Sequence, residues 1–183
     1  YWGKCDFCDY PFLASQDPFL VKATFRNPAY VTRDISDLSN RYGVTRFDLI
    51  SDAVPLGYFA KLKDAGAAHF PSRGLQLECS IRAERHAAQS HFASMAAAGV
   101  TSVTIGVEAL ADDVLTGMAK GNTYADILRS VRYANACGIA VKANLIVDHP
   151  KIGIEHIPQM LERLNELAPY LTAIGVHSFA LSP

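Results

Sequence analysis

The sequence lacks the features of several protein classes. No uninterrupted apolar run reaches the roughly 18 residues that a membrane-spanning helix needs, and the chain does not open with a secretory signal pattern. The net charge is −1, so the basic excess typical of proteins that bind nucleic acid or anionic lipid is missing. We therefore expect no nucleic-acid partner and no membrane partner.

Cysteine is scarce and unevenly spaced. Four cysteines in 183 residues do not make the disulfide framework of a secreted domain, which favours a reducing compartment and predicts a cytoplasmic protein. The six histidines show no His-x-x-x-His spacing. No Gly-x-Gly-x-x-Gly follows a strand-like run, which argues against a dinucleotide-binding fold.

Half of the residues are hydrophobic, so a chain of this length can bury one core, which predicts a single domain over residues 1–183. The first residue is not Met, the chain opens inside a cysteine loop, and it ends directly after a strand-like run. We expect it to be a fragment of a longer protein.

The hydrophobic pattern alternates between strands and helices. Strand-like runs lie at about residues 46–51, 75–82, 101–107, 139–147 and 173–181, and helical patterns lie at about 56–66, 86–98, 111–135 and 154–167. A short helix over residues 34–41 precedes them and ends at Gly43. This order predicts a parallel α/β sheet, either open and doubly wound or an arc of a β/α barrel.

Each predicted strand has one polar and one apolar face, because successive side chains alternate. The polar face carries Arg46, Asp48, Asp52, Gln76, Glu78, Ser80, Arg82, Ser102, Thr104, Gly106, Glu108, Lys142, Asn144, Asp148, Gly175 and His177. A parallel strand covered on both faces is instead nearly continuously apolar. The pattern predicts a wide or incompletely closed barrel around a polar ligand; the alternative is an interior network of ion pairs without a ligand.

The cysteine pair Cys5 and Cys8 suggests a metal. Two thiolates at this spacing can reach one soft metal centre from a tight turn. The same spacing also fits half of a zinc site or a redox dithiol, and these alternatives stay open at this point.

Taken together, these pieces resemble the radical S-adenosylmethionine (radical SAM) enzymes. Cys5-Asp6-Phe7-Cys8 is similar to the end of the loop that holds their [4Fe-4S] cluster. Gly106-Val107-Glu108, with Leu115, Met118 and Lys120-Gly121 after it, resembles the fourth-strand stretch of the branch with methylthiotransferases, coproporphyrinogen oxidases and cobalamin-dependent members, and residues 138–150 resemble their fifth strand. The resemblance implies a partial (β/α) TIM-type barrel. It also implies reductive cleavage of S-adenosylmethionine to a 5′-deoxyadenosyl radical, for hydrogen abstraction or group transfer.

The resemblance assigns roles to particular residues. Cys5 and Cys8 are implied as cluster ligands, Phe7 as a neighbour of the adenine, and Asp52 as the replacement for a Gly-Gly-Glu that binds the methionine amine. Arg82 is implied at the methionine carboxylate, Glu108 at the ribose or the methionine, and Lys142 and Asn144 near the cofactor. Arg82 and Lys142 have an alternative, which is pairing with Glu78 or Asp148 inside the barrel.

The remaining expectations concern ligands and partners. The Tyr1-Trp2-Gly3-Lys4 run is most similar to the cobalamin-binding subset, so cobalamin is a further candidate cofactor. The family spacing places a third cysteine at position 1, where this chain has Tyr1, so we expect that ligand and the first barrel strand upstream. An external electron donor such as flavodoxin or ferredoxin is implied, with an unknown small-molecule or peptide substrate.

Several residues have simpler interpretations. Cys79 and Cys137 are expected to be inert thiols, and Lys120-Gly121 a helix stop. His69, His86, His91 and His156 are expected on the surface or at caps, whereas His149 and His177 are candidates to face a ligand. Two other classes of protein remain open, a zinc-holding or cluster-free β/α binding domain and an ordinary barrel hydrolase or aldolase.

Overall fold

The computed structural model of the chain describes residues 4–8 and 24–179. Two expectations therefore fall outside the described residues: the resemblance carried by residues 1–3 and the end of the last strand-like run at residues 180–181. The polar and apolar pattern of residues 46–177 falls entirely within the described part.

Five parallel strands form one sheet in the order β1-β2-β3-β4-β5. They are β1 (Arg46–Leu49), β2 (Gln76–Ile81), β3 (Val100–Glu108), β4 (Ala140–Ile146) and β5 (Ala173–His177). Because all pairs are parallel, the carboxyl ends of the strands lie along the same edge of the sheet. This edge collects the residues that follow each strand.

The helices are α1 (Pro28–Tyr42), α2 (Tyr58–Asp64), α3 (Gln89–Ala97), α4 (Asp112–Gly117), α5 (Tyr124–Ala136) and α6 (Ile157–Leu167), with short 3₁₀ turns between some of them. Neighbouring helices α1, α2, α3 and α5 contact one another in chain order, as members of one layer do. A doubly wound sheet reverses its strand order at a switch point, and this sheet does not. The fold is therefore an arc of a β/α barrel.

The alternation expected for the strands is confirmed in β1 to β4, but not in β5, where Ile174 and Val176 are exposed and Gly175 is half-buried. In β2, Leu77, Cys79 and Ile81 are buried, while the residues between them are partly exposed. The same division holds for β3 beyond Val103 and for most of β4. The apolar side chains pack under the helix layer, which leaves the polar face open toward the concave side of the arc.

One predicted helix is wrong. The continuous helix expected over residues 111–135 is divided into α4 and α5, because Ala119 (φ 52°) and Gly121 (φ 75°) adopt left-handed conformations that no α-helix accommodates. Helix α5 then restarts with a capping box, in which Thr123 accepts the amide of Asp126 and Asp126 accepts the amide of Thr123. The six-residue connection 118–123 becomes part of the site.

The other boundaries differ by a few residues. Helix α1 begins at Pro28 rather than residue 34, because Asn27 caps it by accepting the amide of Ala29 at 2.9 Å and Pro28 suits the first helical position. It ends at Gly43, as expected. Within the described residues, no helix has the length and apolar content needed to cross a membrane.

Candidate functional site

The residues Cys5 to Cys8, here called the cysteine turn, lie at the carboxyl edge of the sheet. The amide of Cys8 donates to the carbonyl of Cys5 at 3.3 Å, which closes a tight turn. The amide of Asp6 donates to the carbonyl of Met118 at 3.1 Å, which docks the turn on the connection between α4 and α5. Cys5 is half-buried and Cys8 is exposed. Both thiols therefore sit at the border between the barrel mouth and solvent.

A buried ion pair formed by Glu108 and Lys120 lies beside the cysteine turn. Lys120 Nζ is 2.8 Å from Glu108 Oε1, and their side chains are only 6% and 13% exposed. Glu108 ends β3, and Lys120 comes from the connection that breaks the predicted helix. The sequence places Lys120-Gly121 in the family resemblance and otherwise predicts a helix stop there, so the pairing of Lys120 with Glu108 is a finding of the structure.

The backbone at Glu108 is strained. Its φ is 63°, which is uncommon for a residue with a long side chain, and the register between β3 and β4 shifts at this point. A Cβ atom at Gly106 would lie 2.4 Å from Glu108 Oε1 and 3.1 Å from Lys120 Nζ. The bulge and the glycine together turn the carboxylate back over β3, where the lysine binds it.

Arg82 adds a second positive charge at the same place. It follows β2, and its Nη2 donates to the backbone carbonyl of Lys120. Burial raises the pKa of the Cys5 thiol, whereas the positive charges of Lys120 and Arg82 act in the opposite direction. An anion held at Cys5 would therefore have an ammonium and a guanidinium close by.

Phe7 packs inward from the cysteine turn and fills the space between two polar elements. The ammonium of Lys120 lies over its ring at 5.3 Å from the centroid. Its other neighbour is His149, whose ring meets it edge-on at 6.4 Å between centroids. Phe7 thus joins the cysteine turn to the buried ion pair and to the loop after β4.

Asn144 also lies on the polar face of the sheet, beside two glycines of the neighbouring strands. It pairs in register with Gly106 on one side and with Gly175 on the other. A Cβ atom at Gly175 would lie 2.7 Å from Asn144 Oδ1 and 3.1 Å from His177 Nε2. The missing side chain at Gly175 therefore leaves room for the Asn144 amide itself and for the His177 ring.

Lys142 and Asp52 stand apart from this group. Lys142 lies two residues before Asn144 on β4, and its Nζ is 3.2 Å from Glu78 Oε2. Arg46 Nη2 is 2.7 Å from Glu78 Oε1. Hydrogen bonds from Arg46 and Lys142 hold the pKa of Glu78 below its usual value. Lys142 thus pairs with Glu78, as its alternative interpretation allowed, with side chains that are 45% and 27% exposed. Asp52 lies on the exposed bend after β1.

The structure places the histidines and the other two thiols as follows. His69 and His86 are exposed, and His91 and His156 accept backbone amides near helix starts. Cys79 is buried, which raises its pKa to about 12, and Cys137 caps the end of α5. His149, one of the two histidines expected to face a ligand, is buried against the cysteine turn, with Nε2 3.4 Å from Asp6 Oδ1.

The donor set suits a soft metal but is incomplete. Cys5 and Cys8 offer thiol ligands of the kind that iron–sulfur clusters and zinc prefer. Across residues 4–8 and 24–179, no three Cys, His, Asp or Glu side chains converge on a common point. A site with three or four protein ligands therefore needs at least one donor beyond those residues.

Comparison with known proteins identifies relatives of this fold. Residues 2–164 match the family model of the Radical SAM superfamily. Comparison with curated protein sequences gives no match.

Three solved structures illustrate the likeness. The radical S-adenosylmethionine methyltransferase TsrM from Kitasatospora setae, with cobalamin and a [4Fe-4S] cluster bound, is 20% identical with a TM-score of 0.69, over 84% of this chain and 31% of that one. Coproporphyrinogen III oxidase HemN from Escherichia coli, a radical SAM enzyme, is 16% identical with a TM-score of 0.61, over 88% and 40%. Methylornithine synthase PylB is 13% identical with a TM-score of 0.63, over 97% and 50%. The chain thus spans a third to a half of these proteins, and at such identities the likeness shows the fold.

Proposed function

The chain belongs to the radical SAM superfamily, and from that membership we propose that it is the cofactor-binding core of a radical SAM enzyme. One observation carries the proposal beyond the fold. The cysteine turn, the buried ion pair and Arg82 meet at the carboxyl edge of a parallel sheet, which is where β/α barrels carry their active sites. The proposed core extends over residues 1–183.

We propose that Cys5 and Cys8 bind a [4Fe-4S] cluster. When bound, the cluster supplies the electron that cleaves S-adenosylmethionine into methionine and a 5′-deoxyadenosyl radical. Neither Cys79 nor Cys137 lies at the mouth of the barrel, and the sequence contains no other cysteine. A third thiolate would come from beyond this sequence.

Lys120 and Arg82 would offset the negative charge of metal-bound thiolates. Both already lower the electrostatic penalty for a thiolate at Cys5. Opposite charges within a few ångströms stabilise the ionised form most strongly where water is partly excluded. These two residues would thus favour the deprotonated cysteines that metal binding requires.

Glu108, Arg82, Asn144 and Phe7 are proposed to bind S-adenosylmethionine. Lys120 holds Glu108 through Oε1, and a carboxylate has further acceptor positions for a ribose hydroxyl or the methionine ammonium. Arg82 presents a guanidinium, which binds carboxylates in two-point geometry. Asn144 adds an amide, and the Phe7 ring offers a surface for the adenine.

Asp52 and Lys142 are weaker members of the proposed cofactor site. Asp52 would have to bind the methionine amine from an exposed bend, and Lys142 would have to leave Glu78 to reach a cofactor at the strand ends. We keep both as candidates that single substitutions can test. Loss of cofactor affinity in Lys142→Met, with Glu78 intact, would assign Lys142 to the site.

Metal analysis of the full-length protein, purified without oxygen, tests the proposal. We expect about four irons and matching sulfide per chain, visible absorbance that bleaches with dithionite, and formation of 5′-deoxyadenosine from S-adenosylmethionine. Cys5→Ala and Cys8→Ala should lose all of these, whereas Cys137→Ala should keep them. Zinc in place of iron would favour a structural metal domain instead, and unchanged activity in Cys5→Ala would favour a barrel enzyme that uses no cluster.

Cobalamin is a further proposed cofactor. Support comes from the sequence run before Cys5 and from the fold likeness to TsrM, whose structure contains cobalamin. Corrinoid absorbance in the purified full-length protein would support it. A colourless protein after cluster removal, with no corrinoid by mass spectrometry, would restrict the cofactors to the cluster and S-adenosylmethionine.

We also propose an external one-electron donor such as flavodoxin or ferredoxin, a cytoplasmic location and a small-molecule or peptide substrate. The exposed Cys8 supports the first of these, because it brings the proposed cluster close to the surface where a donor can approach. Reduction of the cluster by flavodoxin or ferredoxin in stopped-flow absorbance measurements tests the donor. Reduction by dithionite alone would contradict it.

A further inference from the structure

The residue that follows the first cysteine makes contacts that none of the proposed cofactor contacts requires. Asp6 forms an ion pair with Lys151, which is 145 residues away in the sequence. Its other carboxylate oxygen is 3.4 Å from His149 Nε2. Both partners belong to the loop that follows β4. We call Asp6, His149 and Lys151 the Asp6 clamp.

The orientation of His149 is set from the opposite side of its ring. The backbone amide of Lys151 donates to His149 Nδ1 at 3.2 Å. Since Nδ1 accepts, the proton of the neutral ring is on Nε2, which faces Asp6. The residue is 4% exposed, and its ring is packed edge-on between Phe7 and Phe179, at 6.4 and 4.7 Å between centroids. The imidazole is therefore held in position by contacts on both sides of its ring.

Lys151 is fixed in a similar way. Its Nζ donates to the carbonyl of Gly117 as well as to Asp6. A Cβ atom at Gly117 would lie 3.0 Å from Lys151 Cδ, so the lysine stem crosses the end of α4 at a point where no side chain obstructs it. Together with the Asp6 amide, which bonds to Met118, these contacts attach the cysteine turn to two separate loops of the barrel mouth.

We propose that His149 and Lys151 are positioning residues that hold the cysteine turn in place through Asp6. Cys8 is exposed, so burial contributes little to holding its end of the turn, and the side-chain contacts of Asp6 supply an attachment that burial does not. The loop after β4 thereby controls how long a metal stays at Cys5 and Cys8. This role rests on the proposed function of the two cysteines as metal ligands.

The clamp predicts faster opening of the turn when one member is removed. Exposed or half-exposed ion pairs contribute modestly to stability. The loss of the Lys151 contact should therefore raise the equilibrium constant for local opening of the cysteine turn about fivefold. Loss of the buried His149 contact should raise it by a similar or larger factor. Because local openings are largely independent of global unfolding, amides in β2 and β3 should exchange at unchanged rates.

Amide hydrogen exchange of the metal-free full-length protein tests the clamp directly. We expect residues 5–8 to exchange about fivefold faster in Lys151→Met and in Asp6→Asn, and Lys151→Arg to restore most of the protection. The double variant Asp6→Asn/Lys151→Met should exchange no faster than the faster of the two single variants, since both remove the same contact. His149→Phe keeps the ring packing and isolates the loss of the contact with Asp6.

Release of iron to a strong chelator is the second measurement, made on the reconstituted protein. Iron loss should accelerate about fivefold in Lys151→Met and Asp6→Asn but not in Lys63→Met, a lysine of similar exposure whose only ion pair in the described part is with the neighbouring Asp64. Unchanged exchange or unchanged iron release in Lys151→Met overturns the proposal. If the unmodified protein binds no iron, the proposed function fails, and the exchange data still decide whether the clamp exists.

Discussion

The buried ion pair allows a quantitative prediction for the substitution Lys120→Met. Methionine has nearly the volume and flexibility of lysine, so it can fill the same space without the charge. It leaves the Glu108 carboxylate at the end of β3 with no ammonium at 2.8 Å. It also removes the cation above the Phe7 ring.

The magnitude follows from burial. Removing one member of a buried ion pair costs about 3–5 kcal/mol, because the other charge stays buried without compensation. Glu108 keeps 13% of its side-chain exposure, so some hydration remains and about 3 kcal/mol is expected. For a domain of this size, each kcal/mol lowers Tm by about 2–4 °C. Lys120→Met should therefore melt about 6–12 °C below the unmodified protein.

Calorimetry or circular dichroism of the metal-free protein at pH 7 measures this change without a contribution from bound cofactor. The double variant Lys120→Met/Glu108→Gln replaces both charges, and it should recover at least half of the loss because no unpaired charge remains. Lys63→Met, on the solvent side of α2, serves as the matched control and should melt within about 1 °C of the unmodified protein.

Two results would refute this reasoning. A melting temperature for Lys120→Met within about 2 °C of the unmodified protein would mean that the pair contributes no more than a surface contact. A double variant as unstable as the single one would mean that packing of the lysine stem, rather than pairing of charge, stabilises the connection between α4 and α5.

Three further predictions concern other parts of the arc. Gly106→Ala should weaken S-adenosylmethionine binding at least tenfold in titration calorimetry, since its methyl group would meet the Glu108 carboxylate of the buried ion pair at 2.4 Å. Gly57→Ala, which has open space around the new methyl group, should leave the affinity unchanged. In the metal-free protein at pH 8, Cys8 should react with maleimide and Cys79 should not, because a thiol with a pKa of about 12 is almost wholly protonated at that pH. Labelling of Cys79 before the protein unfolds would contradict its burial. Glu78→Gln should destabilise the fold by about 1 kcal/mol at pH 6 in urea titrations. This difference should shrink as the pH falls below about 4, through the lowered pKa of Glu78 in the folded state, because a carboxylate with a depressed pKa stabilises the fold only while it is ionised. A difference in stability that is independent of pH would exclude this cause.

The strand alternation explains why much of the fold could be predicted. Side chains of a strand alternate strictly, so the residue order of β2 and β3 alone reveals one polar and one apolar face. The same alternation places Arg82 and Asn144 on the polar, concave side of the sheet. Cys5 and Cys8 are visible for a different reason, because their spacing is a local property of the chain.

The break between α4 and α5 could not be predicted in the same way. The apolar pattern continues through residues 111–135, and the two glycines within it, Gly117 and Gly121, are compatible with a helix end or with a weak point in a continuous helix. Only the left-handed backbone at Ala119 and Gly121 turns the connection inward and brings Lys120 to Glu108. Tertiary contacts that stabilise such a conformation leave no periodic signal.

The sequence by itself determined the parallel β/α arrangement, the polar concave face and the thiol pair, because these depend on periodicity and spacing within short segments. The tertiary structure alone decided which charges meet: Lys120 with Glu108, Lys142 with Glu78, and Lys151 with Asp6, across as many as 145 residues. Charged side chains are long and flexible, and each has several possible partners in the sequence. For Lys120 and Glu108 the choice is made by burial, which penalises every arrangement that leaves a charge unpaired. The two half-exposed pairs are instead decided by which strands and loops the fold brings together.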